Sequence, residues 1–533
     1  MRLPFHRLCA PLLLGLRAAR PPTARVGLRC MCTSVSAAEE GYVPSRDSAD
    51  TIFALSSGAG RAGVSVIRVS GPQAGTALLE LAPIATGALP LPRRAVLRSL
   101  VWPKSAREAV GSQATGTIDQ SLVLWFPGPR SFTGEDVVEF HTHGSRAVVT
   151  AVLEALGSLR GLRLAEPGEF TRQAFEGGKM ELTQVEGLSD LINADTEEQR
   201  KQALAQMSGV QRAMYDGWRA QLLKALAYTE ALIDFGEDAD DVTTDALLVA
   251  RGNMRALGEA LRAQLSDGRR GEVVREGVRV AILGPPNAGK STLLNALAQH
   301  EAAIVSPVAG TTRDVVKVVL QLGGLPVELS DTAGLREQTD DPIEVLGMQR
   351  AREAAERAHV QLWVCDAGAA AQGWKALEGG AAGLGAAGGE AGKGGGMQAV
   401  QLLVHNKVDT LAADAPRVPY GGLAEAQQWW LSCTTQTGLE PFLAALSDLV
   451  RSRYGATDGE AALITRARHR EHVSAAVDAL DAFEQLASQG AEAPLDLACE
   501  ELRTAANELG RISGRVDTEE LLDVIFRDFC IGK

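Results

Sequence analysis

The chain has 533 residues, 45% of them hydrophobic and 22% charged, with a formal net charge of −13. This is too long for one hydrophobic core, so two to four domains are expected. It is also too acidic overall to grip a nucleic-acid backbone unaided, which takes clustered Lys and Arg. The seven cysteines are odd in number, scattered and without a CxxC pair. That pattern argues against a disulfide framework or a zinc site and fits a reducing compartment.

Residues 1–38 carry six arginines (Arg2, Arg7, Arg17, Arg20, Arg25, Arg29) and no Asp or Glu; the first acid is Glu39. An Arg-rich, acid-free leader with Leu-rich patches reads as a mitochondrial transit peptide. The rival readings are a secretory signal, suggested by the apolar stretch 10–16, and a basic tail without fixed structure. The stretch 12–16 is far short of a membrane span. Removing the leader moves the net charge from −13 to about −19, because six arginines leave with it.

From residue 50 to about 161, short β-branched and aromatic runs (64–69, 122–126, 136–141) alternate with Gly/Pro turns, as in a mixed α+β domain. Residues 182–270 are rich in Ala, Leu, Glu and Gln with almost no Pro, which predicts long helices. A strand–helix alternation starts at 278 and continues to about 449, the pattern of a parallel sheet covered by helices. From 461 onward Val473, Val477, Leu480 and Phe483 return at helical spacing. The two helical blocks are expected to form one domain into which the α/β unit is inserted, since such units bring their ends close together. Residues 367–398 are nearly all Gly and Ala and cannot bury enough side chain to offset ordering entropy; a flexible loop is expected there.

Three motifs within the α/β block carry chemistry. Gly284-Pro-Pro-Asn-Ala-Gly-Lys-Ser291 fits GxxxxGK[ST], follows an apolar strand and opens a helical run. Its glycines let backbone N–H groups turn toward a β-phosphate, Lys290 reaches the β- and γ-phosphates, and Ser291 ligates Mg²⁺. Asp331-Thr-Ala-Gly334 follows a second strand, with Asp331 suited to hold Mg²⁺ through water and the Gly334 N–H suited to the γ-phosphate. Asn406-Lys-Val-Asp409 follows a third. The Asp409 carboxylate matches the N1–H and exocyclic amine of guanine, a paired contact that adenine does not offer. Ser432-Cys433-Thr434 fits the loop whose backbone touches the base. Order and spacing together predict a GTP-binding, Mg²⁺-dependent hydrolase. Between the first two motifs, Gly310-Thr-Thr-Arg-Asp314 offers Thr312 as a further Mg²⁺ ligand. After Gly334 stands Leu335, where small signalling GTPases place a water-orienting Gln. Glu344, ten residues beyond Gly334, is a plausible carboxylate to replace it, or is a solvated surface acid.

These residues resemble the tRNA-modification GTPases called MnmE or TrmE, in their mitochondrial form. Four further signatures carry the resemblance. They are Gly60-Arg-Ala-Gly-Val-Ser-Val-Ile-Arg68-Val-Ser-Gly71, the segment Phe126-Pro-Gly-Pro-Arg-Ser-Phe-Thr-Gly-Glu-Asp-Val-Val-Glu139, then Pro167-Gly-Glu-Phe-Thr-Arg-Gln-Ala-Phe175, and the terminal Phe529-Cys-Ile-Gly-Lys533.

The resemblance implies a leader (1–38), a folate-binding and dimerisation domain (48–176), a helical domain in two parts (177–272 and 456–533) and an inserted P-loop G domain (276–455). It implies a homodimer that works in the mitochondrial matrix with an FAD-dependent MnmG partner on carbon 5 of the wobble uridine, U34, of certain tRNAs. The product would be a taurinomethyluridine, with 5,10-methylenetetrahydrofolate as one-carbon source.

By motif position the folate site uses Arg68, Glu139, Lys179 and Lys533. Nucleotide contacts fall on Asn287, Ala288, Gly289, Lys290, Ser291, Thr292, Ser306, Thr311, Thr312, Asp331, Thr332, Ala333, Gly334, Asn406, Lys407, Asp409, Ser432, Cys433 and Thr434. A K⁺ beside the phosphates matches Asn287, Ser306, Val308 and Thr311, and Glu344 matches the water-positioning acid. Catalysis is thereby assigned to Glu344, Lys290 and Thr312. Cys530 also fits a prenylation position, although Gly532 and Lys533 suit that signal poorly. An Era-like regulatory or ribosome-assembly GTPase shares the nucleotide motifs, but it would carry a basic RNA-binding domain in place of the folate-type region. A stand-alone folate-dependent methyltransferase would leave the G motifs without a purpose.

Overall fold

The computed structural model describes residues 50–84, 86–104, 116–235, 240–267, 269–300, 317–331, 353–369, 399–412, 417, 419–420, 423–455, 464–489, 493–514, 525–526, 529 and 531–532. Two six-stranded sheets and a set of long helices account for most of them.

The first sheet has the strands β1 (Thr51–Leu55), β2 (Ala62–Ser70), β3 (Val96–Val101), β4 (Thr117–Phe126), β5 (Val137–Gly144) and β6 (Leu162–Leu164), in the order β3-β4-β5-β2-β1-β6. Its pairs are antiparallel except β1 with β6. Side-chain alternation explains its two faces. Ile67, Val69, Val123, Val138 and Phe140 point to one side and form a core with Leu78, Val152 and Leu156 from two covering helices, Ala74–Leu81 and Arg146–Gly157. Arg68, Glu139 and His141 stand on the opposite face because they are one residue out of phase with that core.

The second sheet has β7 (Val278–Leu283), β8 (Lys317–Leu322), β9 (Leu325–Asp331), β10 (Val360–Asp366), β11 (Val400–Asn406) and β12 (Gln428–Trp430), in the order β12-β11-β10-β7-β9-β8. Strands β7 and β10 are mostly apolar, interrupted by Arg279 and Gln361, because their side chains feed apolar clusters on both faces of the sheet. The expected parallel sheet holds for five strands. The edge strand β8 differs: it pairs antiparallel to β9. Its connection is Gly323-Gly324, both at positive φ (60° and 84°), a two-residue hairpin turn whose left-handed backbone suits glycine. Of the Gly/Ala-rich stretch, residues 370–398 lie outside the described residues.

The helical part is built from segments on both sides of the second sheet. Tyr215, Leu222, Met254 and Leu261 share one core with Val473, Leu480, Phe483, Leu502 and Leu509. Helix Ala467–Ala487 buries His469, Val473, Ala476, Val477, Leu480, Phe483 and Ala487, the three-and-four spacing of an inward stripe. A smaller cluster joins Leu182 and Val185 to Ile525, Phe526 and Phe529. Beyond it Ile531 bridges to Pro167, and Ser56 Oγ donates to the Gly532 carbonyl at 2.7 Å. The chain's last described residues thus seat on the first sheet. No described helix is long and apolar enough to cross a membrane.

Candidate nucleotide site and a second polar cluster

Strand β7 ends at Leu283, the phosphate-loop motif occupies the turn, and helix Lys290–His300 begins directly after it. The turn lies at the C-terminal ends of β7 and β10, where the strand order reverses, the usual place for a ligand crevice in such sheets. Glycine is required at two points. A Cβ on Gly284 (φ 140°) would sit 2.1 Å from the Val364 carbonyl oxygen, and one on Gly289 (φ 93°) 2.2 Å from Asn406 Nδ2. Asn287 holds a left-handed φ of 61°, which asparagine tolerates better than most side chains. Lys290 is nearly buried, and its ammonium donates to the carbonyls of Gly284 (3.0 Å) and Pro285 (2.9 Å). Ser291 and Thr292 are exposed at the start of the helix.

Asn406 fastens three segments together. Its Nδ2 donates to the Ala288 carbonyl at 3.0 Å, while its Oδ1 accepts from the N–H groups of Lys407 (2.8 Å) and Cys433 (3.2 Å). The phosphate loop, the turn after β11 and the loop 432–434 are therefore held by one amide. Asp409 and Thr434 are exposed beside it, whereas Ser432 and Cys433 are buried. Burial and the Asp409 carboxylate push the Cys433 thiol up to about 11.

Behind this loop His405 is fully buried and stacked on Trp430 at 3.9 Å. Burial pushes its pKa down, with a hydrogen bond to Gln428 working against this. Gln428 Oε1 lies 3.3 Å from Nε2, and Cys365 Sγ lies 3.4 Å from Nδ1. Oε1 also accepts the Tyr420 N–H. That arrangement assigns the ring proton to Nε2 and leaves Nδ1 as acceptor for the thiol. Burial raises the Cys365 thiol to about 12, so it stays protonated.

Ser306, Val308, Thr311, Thr312, Thr332, Ala333, Gly334, Glu344, Cys530 and Lys533 lie outside the described residues, as does the side chain of Asp331. Sequence reasoning missed Asp366, which ion-pairs with Lys407 at 2.9 Å.

A second cluster occupies the face of the first sheet opposite its core. Arg68 pairs with Glu139 through two hydrogen bonds, 2.9 and 3.1 Å, and its guanidinium lies over the rings of Phe132 and Phe170. His141 Nε2 is 3.3 Å from the other Glu139 oxygen. Both members of the pair are mostly shielded, which strengthens their attraction relative to a surface pair. Lys179 is exposed and runs along Gly134, two residues from Phe132. The structure thus brings Arg68 and Glu139 together. It adds Phe132, Phe170 and His141, of which His141 was detectable as the next same-face position after Glu139.

A phosphate-loop turn between strand and helix, tied by an amide to an Asn-Lys-x-Asp turn, defines the class: a P-loop GTPase. The family model described as the MnmE helical domain matches residues 182–530, and that of the GTP-binding protein TrmE N-terminus matches residues 51–179. The chain is 48% identical over 487 residues to the tRNA modification GTPase MnmE of Parvibaculum lavamentivorans, covering 91% of this chain and 100% of that protein. It is 47% identical over 522 residues to the mitochondrial 5-taurinomethyluridine tRNA synthase subunit GTPB3 of Homo sapiens, covering 98% and 99%. The Danio rerio protein of the same description is 46% identical over 494 residues, covering 91% and 93%. The chain belongs to the MnmE/TrmE family of tRNA modification GTPases.

Proposed function

We propose that this chain is the GTP-hydrolysing subunit of a mitochondrial enzyme that installs a taurinomethyl group at carbon 5 of the wobble uridine, U34, of tRNAs. The observation that carries this reading is the end-to-end match to the human taurinomethyluridine synthase subunit, at 47% identity over 98% of this chain. The acidic composition fits a division of labour in which tRNA is held largely by an FAD-dependent MnmG-type partner.

In this reading residues 276–455 form the G domain, 177–272 with 456–533 the helical domain, and 48–176 the folate-binding and dimerising domain, behind a mitochondrial leader at 1–38. GTP sits with its phosphates in the 284–291 turn. Lys290 leaves the Gly284 and Pro285 carbonyls to meet the β- and γ-phosphates, Ser291 and Thr312 hold Mg²⁺, and Asp409 selects guanine. The start of helix Lys290–His300 at this turn suits an anion, because its N-terminal N–H groups and dipole favour negative charge. Asn287, Ser306, Val308 and Thr311 would hold K⁺, whose fixed charge offsets developing phosphate charge where no arginine finger is present. Glu344 would orient the attacking water.

Arg68, Glu139, Lys179 and Lys533 would hold the tetrahydrofolate derivative. The polar edge of a pterin suits Glu139, and its glutamate tail suits a cation. The partly exposed Phe132 ring offers an apolar wall, while Phe170 is buried beneath Arg68. The seating of Ile531 and Gly532 on Pro167 and Ser56 supports a terminal segment directed at that sheet. The bound folate supplies the one-carbon unit.

Two assays test the reading. GTP hydrolysis by the purified chain rises several-fold when K⁺ replaces Na⁺; equal rates in the two salts count against the cation assignment. Arg68→Ala weakens binding of 5-formyltetrahydrofolate by about ten-fold or more, and unchanged binding removes the folate site from this face.

A further inference from the structure

Strands β10 and β11 are parallel neighbours in a register that places Asp366 opposite Asn406. Asp366, the last residue of β10, and Lys407, the first after β11, therefore lie on the same rim of the crevice. On that rim Lys407 Nζ meets Asp366 Oδ2 at 2.9 Å. The other carboxylate oxygen of Asp366 accepts the Gly368 N–H at 2.9 Å, which fixes the plane of the group.

Lys407 is held at its backbone too. Its N–H donates to Asn406 Oδ1, its carbonyl accepts from Thr410 Oγ1 (2.8 Å) and from the Thr410 N–H (3.0 Å), and its φ is 65°. A non-glycine residue in the left-handed region persists where its surroundings over-determine it. Here backbone and side chain are both tied down.

We propose that Asp366 is a positioning residue for guanine-nucleotide binding, holding the Lys407 side chain along the base pocket and away from Asp409. This rests on the placement of the base at residues 406–409 and 432–434. Two physical effects follow from the geometry. An anchored ammonium lays the four-carbon stem of Lys407 out as a fixed apolar edge, a surface an aromatic ring packs against without ordering the chain anew. Without that anchor the ammonium, two residues from Asp409 in the same turn, would become available to the carboxylate that must stay open for the N1–H and amine of guanine.

The test measures affinity for N-methylanthraniloyl-GDP and steady-state GTP hydrolysis in the full-length chain. Asp366→Asn raises the GDP Kd and the GTP KM together by about ten-fold, equivalent to about 1.4 kcal/mol. kcat at saturating GTP stays within about two-fold, as expected when binding common to ground and transition state is lost. The effect acts through Lys407. In a Lys407→Met background, adding Asp366→Asn therefore changes Kd by less than about two-fold, the non-additivity of a coupled pair. Asp366→Glu keeps the charge and restores most of the affinity, and it serves if Asp366→Asn unfolds.

Equal losses in the wild-type and Lys407→Met backgrounds overturn the proposal, as does a glutamate variant no better than the asparagine one. Asp409→Asn separates this from failure of the base site itself. Xanthine carries an oxygen where guanine carries its amine, so the amide variant shifts preference toward xanthosine diphosphate. If that preference does not move, the base site is misplaced whatever Asp366 does.

Discussion

His359 sets an acid limit on the second sheet. Its Nδ1 accepts the Arg279 N–H at 2.9 Å, so that nitrogen must be unprotonated in the folded chain. Burial, with Arg279 and Arg269 nearby, pushes its pKa down to about 4 from 6.5. With the folded pKa below the unfolded one, the unfolded chain takes up the proton first. Stability is therefore lost as pH falls from about 6.5 to about 4. Thermal unfolding of His359→Gln over this range should show a flatter pH dependence than wild type; parallel curves would contradict the assignment.

Glu186 is fully buried and meets Arg468 (2.7 Å), His469 (3.0 Å) and Arg466 (3.4 Å). Burial alone would raise its carboxyl, but Arg468, His469 and Arg466 together hold it well below the usual range. Its contribution is thus complete above the ordinary value of 4.5 and is lost progressively as pH falls below it toward the lowered folded value. Glu186→Gln removes the charge that compensates two guanidinium groups and should cost about 3–5 kcal/mol in denaturant unfolding. A cost under about 1 kcal/mol would mean that the cluster relaxes or hydrates freely.

At the scale of elements, the same cluster governs how the second sheet is fastened to the helices. Arg275 lies just before β7, where the chain enters the sheet, and Arg466 lies after helix Leu439–Tyr454, where it has left. Both pair with Asp190 on helix Leu182–Ile192, at 3.0 and 2.8 Å. One carboxylate thus clamps both crossings, on a helix that also packs against Ile525, Phe526 and Phe529. Asp190→Ala should destabilise the chain by about 1–3 kcal/mol, since it leaves two mostly shielded guanidinium groups short of a partner. Faster hydrogen exchange is expected at both crossings. An unchanged exchange pattern would show that the clamp is ornamental.

None of this was readable beforehand, because Asp190, Arg275 and Arg466 are far apart in sequence and belong to no motif. The phosphate loop and the Asn-Lys-x-Asp turn were legible because their chemistry sits within a few consecutive residues, each following an apolar strand. The Asp366–Lys407 pair was hidden in the parallel register of two strands 40 residues apart. The antiparallel edge strand β8 had a local signal, the Gly323-Gly324 turn. The strand–helix rhythm around it points to parallel pairing alone and masks that signal.

Across the described residues, a path of ion pairs, apolar packing and a hydrogen bond links the start of β7 to the first sheet. It passes from β7 through the Asp190 clamp to Phe526 and Phe529, and then to Gly532 on Ser56. Under the proposed function, the nucleotide crevice at the far end of β7 and the Arg68–Glu139 cluster on the first sheet are the two sites that such a path would join. Under the proposed function their joint output is a modified tRNA nucleoside, and mass spectrometry of tRNA hydrolysates from cells lacking this chain reads it directly. The wobble uridine should lose its carbon-5 substituent, regain it when the wild-type chain is restored, and stay bare with Lys290→Ala. An unchanged nucleoside profile on removal, or full recovery with Lys290→Ala, would contradict GTP-driven wobble-uridine modification.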